Sequence, residues 1–425
     1  MYFWYKFLTY LFYPFAPIYL YFRKFKNKED SNRYKEKLSK INLQRGDGYL
    51  VWFHVASVGE AMSILALIDK CVKEEKISKI LITSITLSSG KILEKRFENN
   101  QKVVHQFLPL DINYYIKKFL EHWKPNLSIF IDSEIWPNLI VNLKKKKIPL
   151  LLFNARITKK SFDRWKLFPR FAKKIFSLFD LCVASNKESE EFLKILGANN
   201  IKNYGNIKFS NIINNKNIKF DEIFLNKIRN RKVWCAASTH ETEEILCAQS
   251  HLNVKKNFKN ILTIIIPRHI NRVNKISKDL SKLNLNVLLS SKLSELDEKT
   301  DVLLIDSYGE TLKFYNIVKC VFLGKSLIKH LIKDGGQNPI EPARLGCRIF
   351  HGPHISNFTE IYKYLKNLSV TKEVRNSKEL SISLVEEFKA DEPKNQEIAE
   401  KIEKYGQNIL NNVTMELKKY INSYR

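Results

Sequence analysis

The sequence predicts an α/β protein of two doubly wound parallel-sheet domains in tandem, preceded by an aromatic segment. Three observations predict it. At 425 residues the chain is too long for one compact core and long enough for two. Its composition, 44% hydrophobic and 27% charged, is that of a folded globular protein and excludes a disordered one. From residue 49 onward, short near-continuous apolar runs alternate with amphipathic helical patterns, the mark of strands buried on both faces of a parallel sheet.

The chain opens with MYFWYKFLTYLFYPFAPIYLYF, in which 12 of 22 residues are Tyr, Phe or Trp, side chains that favour the headgroup interface of a bilayer over its centre. Lys6, Pro14 and Pro17 interrupt the stretch, and no small-residue cleavage site follows it. Arg23, Lys24, Lys26 and Lys28 mark a cytoplasmic flank. Residues 1–28 are therefore expected to associate with the cytoplasmic leaflet, with spanning and lying in the surface both open. An aromatic hairpin packed on the protein's own core is the other reading of the same residues.

Strands are expected over residues 49–55, 80–83, 103–108, 127–131 and 150–153, with Ile64, Leu65, Ile68 and Cys71 recurring at helical spacing after the first. IKNYGNIKFSNIINNKNIKFDE, rich in Asn, Lys and Gly, breaks the alternation and sets a boundary between a first domain, 29–208, and a second, 209–425. The second series of strands covers 233–236, 261–266, 302–305, 321–323 and 348–350, and an amphipathic helix over about 396–424 closes that domain. Two such domains leave a crevice between the carboxyl ends of their strands, where ligands bind.

A formal charge of +28, with pI near 9.6, calls for an anionic partner: nucleic acid, an acidic membrane surface or a phosphorylated substrate. Part of the excess simply accompanies a composition rich in Lys, Asn and Ile. The lysines are dispersed and no aromatic-basic RNA-binding motif stands out, which sets nucleic acid aside. Cys71, Cys182, Cys235, Cys247, Cys320 and Cys347 show neither CxxC pairing nor His ligand spacing, so a reducing compartment is expected, without a disulfide framework or zinc site.

Strand-end loops carry the chemistry. HVASVGEAMS supplies Ser57, Gly59 and Glu60; a carboxylate so placed can act as a general base or cap the following helix, and the residues alone favour the cap. IDSEIWPNL brings Asp132, Ser133 and Glu134 to the same rim, and FNARIT brings Asn154 and Arg156, whose planar fork suits a carboxylate or phosphate. In the second half, WCAASTHETEE places Ser238 and Thr239 at a strand–helix turn suited to phosphate, with Glu241, Glu243 and Glu244 as first-turn acids. IIIPRHINR ends a strand in Arg268, and LIDSYGET offers Asp306 and Gly309. KDGGQNPIEPARLG sets Gly335 and Gly336 before a helix opening near Asn338, a turn where backbone can approach a phosphate and Glu341 suits a ribose diol. Four phosphate-capable loops in one domain point to a nucleotide site.

In this order HVASVGE, DSEIWPNL, FNARIT, STHETEE, PRHINR, DSYGE and GGQNPIEPARLGCRIFHGPHISNF, with YKFLTYLFYPFAPIYLYFRKFKNKED at the start, resemble the 3-deoxy-D-manno-octulosonic acid (Kdo) transferases of lipopolysaccharide synthesis, over residues 1 to about 360. The resemblance implies a GT-B fold, two Rossmann-like domains facing a cleft. It implies transfer of Kdo from CMP-Kdo to a lipid A precursor, lipid IVA, with inversion and release of CMP, and without cofactor or metal. The place implied is the cytoplasmic face of the bacterial inner membrane, against an anionic surface. Glu60 then becomes the catalytic base, Glu134 a second acid on the acceptor side, and Ser57, Gly59 and Arg156 candidates for acceptor or anion binding. Ser238, Thr239, Arg268, Asp306, Gly309, Gly335, Gly336, Asn338 and Glu341 form the donor site. The chain departs from the family pattern at Ala237, Thr242 and Lys325, where glycine is usual, at Ile270-Asn271 for Pro-Glu, at Gln337 for His, and in a longer spacer, IKHLIKD. The rival readings are a GT-B enzyme using a UDP-sugar on a lipid acceptor and, more remotely, a basic membrane-associated nucleic-acid-binding protein.

Overall fold

The computed structural model describes residues 1–41, 43–211, 220–328, 335–390 and 392–423. The chain forms two compact units, residues 1–212 together with 405–425, and residues 213–404.

The first unit carries β1 (Tyr49–His54), β2 (Ile77–Ser84), β3 (Val103–Phe107), β4 (Leu127–Ile131), β5 (Leu150–Ala155), β6 (Leu181–Ala184) and β7 (Ile201–Asn203) in one sheet of order β3-β2-β1-β4-β5-β6-β7. Every pairing is parallel. Each residue of β4 and β5 is buried, as a strand covered by helices on both faces requires. Trp52 and Phe130 of the sheet share one buried cluster with Phe119 and Trp123 of the helix Asn113–Trp123, and the two indoles are satisfied: Trp52 Nε1 donates to Thr83 Oγ1 at 2.9 Å and Trp123 Nε1 to Gln106 Oε1 at 2.8 Å.

The second unit carries β8 (Lys232–Thr239), β9 (Ile261–Pro267), β10 (Val287–Leu289), β11 (Val302–Leu304), β12 (Cys320–Leu323), β13 (Arg348–His351) and β14 (Thr371–Glu373), ordered β10-β11-β9-β8-β12-β13-β14 and again parallel throughout. Trp234, Phe322 and Phe350 anchor its core. In each sheet the strand order reverses beside the first strand, between β1 and β4 and between β8 and β12. Connections leave such a switch point toward opposite faces, which opens a crevice at the carboxyl ends of the two strands.

All ten strands expected from the sequence are present. β6, β7, β10 and β14 were not anticipated; they have three or four residues each, too few to show a period.

The aromatic segment folds as two helices, Tyr2–Leu11 and Ala16–Phe25, broken by a 3-10 turn over Tyr13–Phe15 that contains Pro14. One face rests on the first unit: Ala16 and Leu20 pack with Leu38, Ile112 and Tyr115, Tyr5 donates its hydroxyl to Asp111 at 2.8 Å, and Asn138 Nδ2 donates to Thr9 Oγ1 at 3.0 Å. The other face leaves Phe3, Trp4, Leu8, Phe15, Phe22 and Phe25 exposed, Phe25 to 83%. Core packing and an exposed aromatic face therefore coexist. No described helix is long and apolar enough to cross a membrane.

The closing helix, Gln396–Ser423, corrects the expected division, because residues 405–425 belong to the first unit. Tyr204 donates its hydroxyl to Glu416 at 2.8 Å, and Tyr420 donates to the Asp180 carbonyl at 3.1 Å. Gly406 makes the approach possible, since a Cβ there would lie 1.9 Å from the Phe209 carbonyl oxygen. Gly406→Val is expected to lower stability by about 1–3 kcal/mol through overpacking, measured as a drop in the calorimetric midpoint; an unchanged midpoint would deny this docking.

Candidate functional site

In the first unit, β1 ends at His54 and the chain turns into the helix Val58–Ser63. Ser57 is its N-cap. The Ser57 hydroxyl accepts from the Glu60 N–H at 3.4 Å and donates to Glu60 Oε1 at 2.9 Å, while Glu60 Oε2 accepts from the Ala56 N–H at 2.7 Å. This is a variant of the capping box, in which the Glu60 carboxylate reaches the N–H of the residue before the cap and the cap's hydroxyl, so the helix-cap reading of Glu60 describes its geometry. It does not exclude the base. Burial is the largest influence on the carboxyl and, with the neighbouring Asp132 and Glu134, pushes it up to about 7 against the Ala56 and Ser57 hydrogen bonds. A carboxyl titrating near neutrality on a fixed turn is suited to accept a proton. Gly59 is exposed and has no positive φ, and a Cβ there would meet nothing nearer than Ser57 Oγ at 4.0 Å. It opens space beside the carboxylate; the turn itself does not need it.

At the end of β4, Asp132 takes φ +62°, and within the end of β5, Asn154 takes φ +53°. Asp and Asn tolerate this left-handed backbone best, and strain of this kind gathers at functional sites. Burial raises the Asp132 carboxyl, opposed by Lys208 and Arg156; Lys208 Nζ stands 3.9 Å from Asp132 Oδ2. Glu134 Oε2 accepts from Trp136 Nε1 at 2.8 Å and lies 3.2 Å from Nε2 of the buried His54, whose Nδ1 is 2.9 Å from Thr83 Oγ1. The sequence-predicted Glu60, Glu134 and Arg156 are thus brought to one rim. His54 and Lys208 were missed. His54 sits inside a strand, and Lys208 belongs to a lysine-rich stretch read only as a boundary.

In the second unit, β8 ends with Ser238 at φ +56° and the buried Thr239, whose Oγ1 has no hydrogen-bond partner among the described residues. Glu243, expected to be merely a first-turn acid, is buried and accepts four backbone N–H bonds: from His240 at 2.9 Å, Lys325 at 2.7 Å, and Ser326 and Leu327 at 3.0 Å each. It ties the loop after β8 to the loop after β12. Gly324 fits there because a Cβ would lie 2.5 Å from the Ser238 carbonyl. Glu244 receives a two-pronged ion pair from Arg272, at 3.0 and 3.1 Å.

The other donor-site candidates occupy different environments. Arg268 is exposed at the end of β9, and none of the described residues bonds its guanidinium. Asp306 Oδ1 accepts from Ser290 Oγ at 2.5 Å and from the Ser291 N–H at 3.1 Å, bonds that hold its carboxyl below the usual range despite some burial. Gly309, at φ +88°, lies exposed in the following turn. Gly335 and Gly336, expected to let backbone approach a phosphate, are held close to other backbone. A Cβ on Gly335 would strike the His354 carbonyl at 2.4 Å, one on Gly336 would lie 3.0 Å from Ile355 Cα, and the Gly336 N–H donates to Lys325 O at 2.7 Å. Their close approach is to the chain's own backbone. Asn338 Oδ1 accepts from the Ile340 N–H at 3.1 Å, and the helix begins at Ile340, two residues on, as expected near Asn338. Glu341 is half-buried, burial raises its carboxyl against the charge of Arg344, and no described residue donates a hydrogen bond to it.

The departures from the family pattern are accommodated at the backbone. Thr242 at φ +81° and Lys325 at φ +58° keep the left-handed conformation that glycine favours. Ala237 is an ordinary buried strand residue paired with Leu323, Ile270-Asn271 begin a 3-10 turn, and the Gln337 carbonyl accepts from Tyr362 at 3.1 Å. Of the IKHLIKD spacer, residues 329–334 lie outside the described residues.

Comparison with known proteins gives this geometry its relatives. A profile of the family described as 3-deoxy-D-manno-octulosonic-acid transferase (kdotransferase) matches residues 29–211. The chain is 34% identical over 378 residues to the 3-deoxy-D-manno-octulosonic acid transferase of Rickettsia bellii, covering 88% of each. It is 30% identical over 337 residues to that of Haemophilus influenzae, covering 77% of this chain and 76% of the other. Among solved structures, the UDP-GlcNAc 2-epimerase of Neisseria meningitidis bound to UDP-GlcNAc has a TM-score of 0.56 over 88% of this chain and 99% of its own, at 16% identity, a likeness of fold.

Glu243→Ala strands the four N–H donors and is expected to cost roughly 3 kcal/mol or more, read as a lower urea midpoint. Glu241→Ala, which removes an exposed carboxylate paired with Lys275, should leave that midpoint in place.

Proposed function

The chain belongs to the Kdo transferase family and is a glycosyltransferase of GT-B type, and from that premise we propose that it moves Kdo from CMP-Kdo to a lipid A precursor, lipid IVA, in lipopolysaccharide synthesis, with Glu60 as general base. The observation that carries the reading is the Glu60 carboxyl, raised to about 7 yet fixed by Ser57 and Ala56. In the proposed step Glu60 takes the proton of a hydroxyl on the lipid-linked glucosamine as that oxygen attacks C2 of Kdo. The bond from C2 to the phosphate oxygen breaks, CMP leaves, and a single displacement inverts the anomeric centre. Glu134, hydrogen-bonded by Trp136 and facing His54, is the second acid on the acceptor side. Arg156 and Lys208 supply positive charge for acceptor phosphates, with Ser57 and Gly59 beside them.

The second unit is assigned the nucleotide. Its candidates divide by what they have left to offer. Arg268 has an unengaged guanidinium for the departing phosphate, and the Thr239 hydroxyl lacks a described partner. Ser238 and Asn338 border the same loops, and Asp306 and Gly309 line the turn after β11. Glu341 suits the ribose hydroxyls, which donate to a carboxylate. Gly335 and Gly336 serve by setting the loop's shape. The exposed aromatic face of residues 1–28, with Arg23, Lys24, Lys26 and Lys28 after it, supports a place in the cytoplasmic leaflet of the inner membrane.

Purified protein given CMP-Kdo generated in situ and the lipid precursor is expected to form a Kdo-bearing lipid by mass spectrometry; no such product would refute the activity. CMP, and not UDP, should raise the thermal midpoint. Glu60→Gln, which can keep the capping geometry, should lose about 10²- to 10⁴-fold in turnover with its fold intact; near-normal turnover would remove the base assignment. Because the base works as the carboxylate, kcat/KM should rise with pH and level off above about 7.

A further inference from the structure

The helices Lys159–Lys166 and Pro169–Phe176 of the first unit form a hairpin held down by the buried Phe162, Ala172, Ile175 and Phe176. Its turn is Leu167-Phe168. Two adjacent large apolar residues at such a turn would ordinarily fold back onto the core, yet Leu167 is 72% and Phe168 46% exposed. Around them Lys160, Arg164, Lys166, Arg170, Lys173 and Lys174 are exposed, and the one acid of the hairpin, Asp163, is taken by Lys159 at 2.7 Å. The hairpin also joins the aromatic segment: the Phe171 ring lies 6.2 Å from that of Tyr5, and Lys174 Nζ stands 5.3 Å over the ring of Tyr2.

We propose that this turn is a second lipid contact, in which Leu167 and Phe168 enter the acyl region of an anionic phospholipid leaflet while the surrounding cations meet lipid phosphates. Exposed apolar side chains on a hairpin whose exposed cations form no ion pair with any described acid apart from Lys159 with Asp163 match a surface that is apolar beneath and anionic above. The hairpin adjoins the N-terminal helices through Tyr2 and Tyr5 of their packed face, which sets the two elements side by side in the first unit. A nucleic acid or acidic protein would engage the cations and leave Leu167 and Phe168 without a role. The inference rests on the reading that the N-terminal face meets the membrane, and it adds a contact outside that segment.

The test uses the full chain. All six native cysteines are buried, so Leu167→Cys can be labelled alone with an environment-sensitive dye. The label is expected to shift to the blue with phosphatidylglycerol-containing vesicles and to stay unshifted with pure phosphatidylcholine. A Leu167→Asp, Phe168→Asp double variant should bind the anionic vesicles roughly tenfold or more weakly, with transfer to a detergent-dispersed acceptor unchanged. If the unsubstituted protein ignores anionic vesicles, the membrane reading and this proposal fall together. If it binds them while the label stays unshifted and the double variant binds equally well, the proposal alone falls. A double variant that binds vesicles normally but loses transfer in detergent would assign the turn to the acceptor and overturn the lipid contact.

Discussion

Four backbone N–H groups converge on the carboxylate of Glu243, and the second unit's candidate donor-site loops after β8 and β12 depend on that convergence. A parallel sheet opens a crevice at its switch point only because the chain leaves β8 and β12 toward opposite faces. The loops beside the crevice then carry donors that neither strand nor helix satisfies. One buried acid meets four of them and fixes the loops to each other, at the cost of its own desolvation. The first unit repeats the device on a smaller scale. Glu60, likewise in the first helical turn after a first strand, accepts from the Ala56 N–H and from Ser57. The difference in surroundings separates a scaffold acid from the acid proposed as the base. Glu243 is wholly enclosed and its oxygens are occupied, whereas Glu60 is half-exposed with two bonds and carries a carboxyl raised to about 7 beside two further acids.

Strain marks the same loops. Asp132, Asn154, Ser238, Thr242 and Lys325 all sit at positive φ, at or just beyond the carboxyl ends of strands. Thr242 is the costliest, because a β-branched side chain crowds that backbone region most. At Thr242 and Lys325, two of the three positions where the family pattern has glycine, this chain keeps the left-handed conformation and accepts the strain, so the loop path is dictated by what surrounds it, above all by Glu243, and not by local preference.

The parts of the fold that were legible in the sequence are those with long, redundant signals. Apolar runs such as those that form β5 and β9 read as strands because every residue of them is buried. β7, with no buried residue and only three in all, carries no such signal. The candidate site was legible as residues and less so as roles. Glu60, Glu134 and Arg156 stood out in their loops, while Lys208 was hidden by the Asn- and Lys-rich stretch around it. Glu243 resembled any acid in a first helical turn, since the three loop amides it holds lie more than eighty residues away. Gly335 and Gly336 signalled a close approach correctly, but a sequence does not say whether ligand or backbone fills the space.

The docking of Gly406 against Phe209 also has a consequence in time. The first unit is discontinuous: its final 21 residues, 405–425, are joined to it only after the entire second unit has been made. During synthesis the seven-stranded sheet can assemble while the surface meant for that helix, around Tyr204, Phe209 and Asp180, waits uncovered. The most non-local contacts of the unit are therefore the last it can form, the order that slows folding and prolongs the life of sticky intermediates. A ribosome-bound first unit is structured but unfinished, and its completion is timed by the emergence of its neighbour.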